Sequence, residues 1–193
     1  MLFRSERDLC KYPVGKQDQY ASAYGGMNLF EFLKDNSVNI RPITYNRDIW
    51  CDLESRLLLV YSGRGRNANS ILQKQASAMS QKDKFDLVRR SRDKAYVATR
   101  YLKENKLDDF GNLLHEAWLD KKAVATDITN DYFDDVYSRA IEAGALGGKL
   151  LGAGGGGFFL FYVRPEDREN VIKTITDGTS CRVYDFRFYR SEE

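Results

Sequence analysis

A run of small residues near the C-terminal end constrains the fold of this chain most strongly. Residues 152–157 read GAGGGG and lie between two apolar segments, 148–151 and 158–163, that are typical of strands. Glycines at this density permit positive φ angles and let backbone N–H groups approach a ligand, as in anion-binding loops. The spacing matches neither GxxxxGK[ST] nor a strand-to-helix GxGxxG. The run alone therefore leaves two interpretations open, a phosphate-binding loop and a tightly packed strand connection.

The segments around this run predict an α+β fold. The apolar run RLLLVY at 56–61 is typical of a buried strand, and the alternation over 181–188 predicts a final strand. Helical periodicity covers the segments 67–105 with a break near Ser80, 107–125, 130–144, and a further stretch opened by Pro165. The order strand, three helices, two strands, helix, strand favours an antiparallel sheet with a layer of helices.

The N-terminal part carries shorter elements. Residues 1–15 have the pattern of the last turns of a helix that stops at Pro13 and Gly15, and residues 17–24 can form a short helix. The segments 27–33 and 38–45 alternate like strands, and the turn 34–37 predicts that they form a hairpin. We predict a domain boundary at the turn before Arg56, which divides the chain into 1–55 and 56–193.

Composition and charge exclude several classes of function. The chain has 30 Lys and Arg against 28 Asp and Glu, so its net charge of +2 provides no field that would attract nucleic acid or an anionic membrane. Three scattered cysteines lack the spacing of a metal site, and the single histidine, His115, is expected to make a structural hydrogen bond. No stretch is apolar enough for a membrane span or a signal peptide. We expect a cytoplasmic protein whose partners are small molecules.

A second motif, PVGKQDQY at 13–20, places two charged residues around the start of a predicted helix. Lys16 and Asp18 lie on either side of that helix N-terminus. The helix dipole and the nearby ammonium group both favour the ionised form of Asp18, which could then accept a proton from a substrate hydroxyl. The alternative is simple capping of the helix by Asp18.

Taken together, GKQDQYASAYGGMNLFEF and KLLGAGGGGFFLFY resemble the C-terminal part of GHMP-family sugar kinases, in the branch of the D-glycero-D-manno-heptose 7-phosphate kinases. The resemblance runs through essentially the whole chain. It implies that 56–193 is a GHMP kinase C-terminal domain, with a ferredoxin-like antiparallel sheet and a helical layer. It also implies that 1–55 is a remnant of the N-terminal domain, which includes the GxxDQ segment.

The resemblance further implies an activity and a set of site residues. The reaction would be transfer of the γ-phosphoryl group of ATP, with Mg²⁺, to the anomeric hydroxyl of a heptose 7-phosphate. Asp18 would be the catalytic base with Lys16 beside it. The loop that closes over substrate and phosphates would comprise Gly152, Ala153, Gly154, Gly155, Gly156 and Gly157. Arg66 and Lys149 are further candidates for phosphate binding, with a solvated position as the open alternative for each. A solvated turn is the simpler interpretation of Arg64.

One family feature has no match in this chain. GHMP kinases carry a PxxxGLGSSA-type loop that binds the ATP phosphates, and no segment here resembles it. We therefore expect a truncated chain that binds ATP and Mg²⁺ poorly and has little or no kinase activity alone. An upstream fragment supplied in trans would provide the missing part, and an exposed edge of the N-terminal core would favour self-association. The alternative is an inactive remnant, or a module that binds a phosphosugar or a partner chain.

Overall fold

The computed structural model describes residues 15–43, 46–65, 72–74, 77 and 81–188 of the chain. Its first elements are helix α1 (Gln17–Tyr24) and strands β1 (Asn28–Phe32) and β2 (Val38–Pro42). The two strands pair antiparallel, and the carboxylate of Asp35 accepts hydrogen bonds from the N–H and hydroxyl of Ser37 in the turn between them. The predicted hairpin is confirmed, while the predicted helix end at Pro13 lies outside the described residues.

Helix α2 (Arg47–Arg56) was not predicted from the sequence. The Asn46 side chain caps it by accepting a hydrogen bond from the N–H of Asp48, and Trp50 and Leu53 form its buried face. The helix passes directly into strand β3 (Leu57–Tyr61). The turn predicted before Arg56 is therefore wrong, because those residues continue a helix. The domain boundary placed there stays a prediction.

The remaining elements follow the predicted order. The helices are α3 (Lys82–Lys103), α4 (Leu107–Val124), α5 (Asp131–Glu142) and α6 (Arg168–Thr176). The strands are β4 (Ala145–Leu150), β5 (Phe158–Val163) and β6 (Arg182–Tyr184). Pro165 opens a short 3-10 turn that leads into α6, and Asn130 caps α5 as its position suggests. The final strand is shorter than predicted, and the predicted break near Ser80 lies outside the described residues.

The main sheet has the strand order β4-β5-β3-β6 with every neighbouring pair antiparallel. Read along the chain, a strand is followed by helices, two hairpin-connected strands, a helix and a last strand. This is the β-α-β-β-α-β arrangement of ferredoxin-like folds. The predicted α+β class with an antiparallel sheet and a helical layer is confirmed.

Both faces of the central strands are covered by apolar side chains. Leu58 and Val60 of β3 are fully buried in a cluster with Phe159 and Phe161 of β5 and the inner faces of α4, α5 and α6. On the opposite face, Leu57 packs in a second cluster that includes Leu53 and Leu102. Alternate residues of β3 thus serve two separate clusters, as the period of a strand requires. None of the helices in the described ranges is long and apolar enough to cross a membrane.

Candidate functional site

The glycine loop, defined here as residues 151–157, closes the hairpin between β4 and β5. Five of its glycines have positive φ angles, which side chains of L residues rarely adopt: Gly152, Gly154, Gly155, Gly156 and Gly157. The sequence-predicted connection between two strands is therefore present, and its composition follows from its backbone conformation.

The loop packs closely against two other segments of the chain. Gly155 donates a hydrogen bond to the carbonyl oxygen of Ile128 at 2.8 Å, and Gly157 donates to that of Arg64 at 2.9 Å. A Cβ atom on Gly154 would lie 2.8 Å from the Ile128 oxygen, and one on Gly156 would lie 2.9 Å from the Arg64 oxygen. Tight packing within the chain requires glycine at these two positions, and the phosphate-binding role of the loop stays a prediction.

Lys121 of α4 holds the beginning of the glycine loop. Its ammonium group donates to the carbonyl oxygens of Gly152 at 2.6 Å and Leu150 at 3.1 Å, and it lies beside the buried Trp118 ring. Sequence reasoning missed this residue, because a lysine in the last turn of a helix has the common role of offsetting the helix dipole. A lysine that binds two carbonyls around a strand end fixes where the loop departs from the sheet.

Arg64 lies on the other side of the glycine loop. Its guanidinium carbon is 4.0 Å from the centroid of the Tyr132 ring, a cation–π geometry. The hydroxyl of Tyr132 donates to the backbone oxygen of Ser62 at 2.8 Å, so the ring is tied to the same turn that carries Arg64. Burial and the neighbouring Cys181 thiol raise the pKa of Tyr132, which keeps that hydroxyl protonated. Arg66, the other predicted arginine, lies outside the described residues.

Lys149 lies on β4 directly before the glycine loop and pairs with Leu160 of β5. Its side chain is partly exposed, and within the described residues it makes no ion pair. Burial lowers the pKa of Lys149, because the charged form loses hydration. Its phosphate-binding role stays a prediction.

Asp18 and Lys16 lie at the start of α1. Asp18 is exposed in the first helical turn, and Lys16 occupies the capping position without a side-chain cap hydrogen bond. Asp18 is therefore not the N-cap but lies in the first turn, at the positive end of the helix dipole. The Lys16 ammonium donates to the backbone oxygen of Asn36 at 3.3 Å. The described hydrogen bonds and ion pairs do not connect Asp18 directly with the glycine loop.

His115 has a structural role, as predicted. Its Nδ1 atom lies 2.9 Å from the hydroxyl of Tyr137, with the two rings stacked, and the same hydroxyl donates to the backbone oxygen of Gly148. Burial raises the pKa of Tyr137, so the hydroxyl stays protonated. Within the described ranges, no three residues among His, Cys, Asp and Glu are grouped so that they could hold a metal ion.

Comparison with known proteins agrees with this architecture. The family model of the GHMP kinases C terminal matches residues 98–178, which run from the end of α3 through α6. The chain therefore contains a GHMP kinase C-terminal domain.

The similarity extends beyond that domain. A D-glycero-alpha-D-manno-heptose 7-phosphate kinase from Campylobacter jejuni is 29% identical over 188 residues, which are 97% of this chain and 55% of the relative. The crystal structure of a D-glycero-D-manno-heptose 1-phosphate kinase from B. thetaiotaomicron has a TM-score of 0.66 at 30% identity, covering 96% of this chain and 50% of that one. A sugar kinase structure from C. jejuni has a TM-score of 0.67 at 28% identity, and the match covers 97% of this chain and 52% of that one. The chain thus spans about half the length of these relatives.

Proposed function

We propose that this chain serves in the ATP-dependent phosphorylation of a sugar, with the anomeric hydroxyl of a heptose 7-phosphate as acceptor. The observation that carries the proposal is the similarity to a heptose 7-phosphate kinase along 97% of the chain, which includes both the GxxDQ segment and the glycine loop. The chain spans 55% of that relative, so the activity of a whole kinase is part of the proposal.

In this proposal Asp18 acts as the general base. Its carboxylate is exposed in the first turn of α1, where a substrate hydroxyl could reach it. The acceptor hydroxyl would transfer its proton to Asp18 while its oxygen attacks the γ-phosphorus of ATP, and ADP would leave with the electron pair of the broken bond. Lys16, two residues earlier, would offset the negative charge that develops near the acceptor.

The glycine loop from Gly152 to Gly157 would position the phosphate groups, together with Lys149 and Arg66. The fit is partial, because the N–H groups of Gly155 and Gly157 are already bound to carbonyl oxygens within the chain. Two basic side chains beside the loop, Lys121 and Arg64, agree with a phosphate ligand. Mg²⁺ would neutralise the charge of the phosphate groups.

The experiment is to add the N-terminal half of the C. jejuni heptose 7-phosphate kinase to the chain in trans, because little activity is expected of the chain alone. The mixture is incubated with ATP, Mg²⁺ and a heptose 7-phosphate, and ADP release and the new anomeric phosphate are followed by ³¹P NMR. We expect Asp18→Asn to lower kcat at least about 100-fold, because proton transfer by a general base contributes factors of this order. The matched control is Asp83→Asn, since Asp83 is likewise an exposed aspartate in the first turn of a helix. Equal turnover of the two variants would contradict the role of Asp18, and no ADP release by the mixture with the unaltered chain would contradict the proposed reaction.

A second candidate is a module that binds a phosphosugar without transferring phosphate. It is favoured by the family match, which covers the glycine loop within residues 98–178 but does not reach Asp18. Calorimetric titration with a heptose 7-phosphate distinguishes the candidates, because saturable binding without turnover would favour the module. In both candidate functions, the sugar phosphate is the small-molecule partner. Association with an upstream fragment or with a second copy is measured by sedimentation velocity.

A further inference from the structure

The turn after β3 is joined to the glycine loop through its backbone. The N–H of Gly157 donates to the carbonyl oxygen of Arg64 at 2.9 Å, and the N–H of Ser62 donates to the carbonyl oxygen of Gly157 at 2.9 Å. Gly156 lies so close to the same turn that a Cβ atom would be 2.9 Å from the oxygens of both Arg64 and Gly65. The backbone of Arg64 is therefore held at a fixed distance from the loop.

The side chain of Arg64 is also held in place. Its guanidinium group stacks on the Tyr132 ring at 4.0 Å, and the Tyr132 hydroxyl binds the backbone oxygen of Ser62. Stacking occupies one face of the guanidinium plane and leaves its N–H groups, which lie in that plane, able to bind an anion. An arginine restrained in this way loses less conformational entropy on binding than a free surface arginine.

The charge of Arg64 has no counter-charge in the described part of the chain. Several other arginines do have one: Arg56 and Arg164 bind Asp108, Arg41 binds Glu31, and Arg90 binds Asp120. Arg64 is exposed, and no ion pair joins it to any described carboxylate. It therefore combines a fixed position beside the glycine loop with an uncompensated positive charge.

We propose that Arg64, stacked on Tyr132, binds a phosphate group of the ligand that the glycine loop receives. Guanidinium groups bind phosphate through two parallel hydrogen bonds, a geometry that suits an arginine held by its face. The phosphate could belong to the sugar phosphate or to ATP, and both present the same chemistry. The identity of these ligands rests on the proposed function, whereas binding through Arg64 can be measured without turnover.

The test is to titrate the full chain by calorimetry with heptose 7-phosphate, with the unphosphorylated heptose and, separately, with ATP. We expect Arg64→Gln to weaken binding of at least one phosphorylated probe tenfold or more, since a charge-assisted hydrogen bond has about that effect. Arg64→Lys should retain part of the affinity, and binding of the unphosphorylated heptose should be unchanged. The phosphorylated probe that loses affinity identifies the source of the phosphate.

The matched control is Arg89→Gln, because Arg89 is an exposed arginine on α3 that pairs with Asp86. Equal affinities of Arg64→Gln and Arg89→Gln for both phosphorylated probes would overturn the proposal, as would failure of the unaltered chain to bind either probe.

Tyr132→Leu, which removes the ring, should weaken binding more than Tyr132→Phe, which keeps it, and the reverse order would contradict the stacking argument. Phosphate binding through Arg64 without ADP release would contradict the proposed reaction but not the proposed role of Arg64.

Discussion

Asp108 shows how a single residue joins separate elements of the fold. Its carboxylate accepts hydrogen bonds from the Tyr162 hydroxyl at 3.0 Å and from Arg164 at 2.9 Å, and Arg56 lies 3.3 Å away. Partial burial acts to raise the pKa of Asp108, but the hydrogen bonds and the two guanidinium charges outweigh it and hold the pKa below its ordinary value. The native state therefore keeps this carboxylate ionised more strongly than the unfolded chain does.

We predict a pH-dependent contribution of Asp108 to stability. Because the pKa is depressed in the folded state, the contribution is fully present above the unfolded value of about 4 and is lost as the pH falls through the lower folded value. The difference in unfolding free energy between the unaltered chain and Asp108→Asn should therefore shrink as the pH is lowered from about 6 to about 3. Urea unfolding at several pH values measures it. Asp109→Asn, an exposed neighbour in the same helical turn, is the control and should show a smaller dependence.

Single residues were predicted unevenly from the sequence. The hydrogen bond of His115 and the position of Asp18 in the first turn of a helix followed from local pattern. Lys121 and the stacking of Arg64 on Tyr132 did not, because each depends on segments that are distant in sequence and meet only in the folded chain. The catalytic role of Asp18 and the phosphate-binding roles of the loop, Lys149 and Arg66 stay predictions.

At the scale of elements, α4 determines where the glycine loop begins. We predict that Lys121→Met increases hydrogen exchange at the Gly155 and Gly157 amides roughly tenfold. Two hydrogen bonds are lost, one to the last residue of β4 and one to the loop, each contributing about 1 kcal/mol. The measurement is hydrogen exchange followed by NMR. Lys122→Met is the matched control, since Lys122 binds Asp134 of α5. Equal exchange rates in the two variants would show that Lys121 does not hold the loop.

The order of the elements along the chain was predictable from the sequence, but the close packing of helix against strand was not. Apolar periodicity gave the sequence of strands and helices from β3 to β6, whereas α2 was missed although Asn46 and the spacing of Trp50 and Leu53 are typical of a capped amphipathic helix. Gly147 of β4 lies so near α4 that a Cβ atom would be 2.1 Å from the oxygen of Gly111. Such an approach of helix and strand depends on tertiary packing, which local sequence patterns do not encode.

Across the whole molecule, the last described residues return to α2. The Phe188 ring lies 4.3 Å from that of the buried Trp50, and its N–H donates to the Glu54 carboxylate. We predict that Phe188→Ala lowers the unfolding free energy by about 1 to 2 kcal/mol, because an aromatic contact and part of its burial are lost. Trp50 should become more exposed and its fluorescence should shift to longer wavelength.

The second tryptophan, Trp118, is fully buried in the cluster that contains Leu58 and Val60. A Trp118→Phe background therefore isolates the emission of Trp50. Phe85→Ala is the control, because Phe85 is an exposed aromatic residue on α3. An unchanged emission spectrum of Trp50 in Phe188→Ala would mean that the C-terminal residues do not cover α2.

The packing of Gly154 and Gly156 also bears on how sequences of this kind diverge. A Cβ atom at either position would meet a backbone oxygen at less than 3.0 Å, whatever ligand the loop binds. Selection for the fold alone would therefore preserve these two glycines in a descendant that no longer carried out any reaction. A glycine run between β4 and β5 is accordingly a marker of ancestry, and the retention of activity in a related gene has to be judged from exposed residues that the fold does not require.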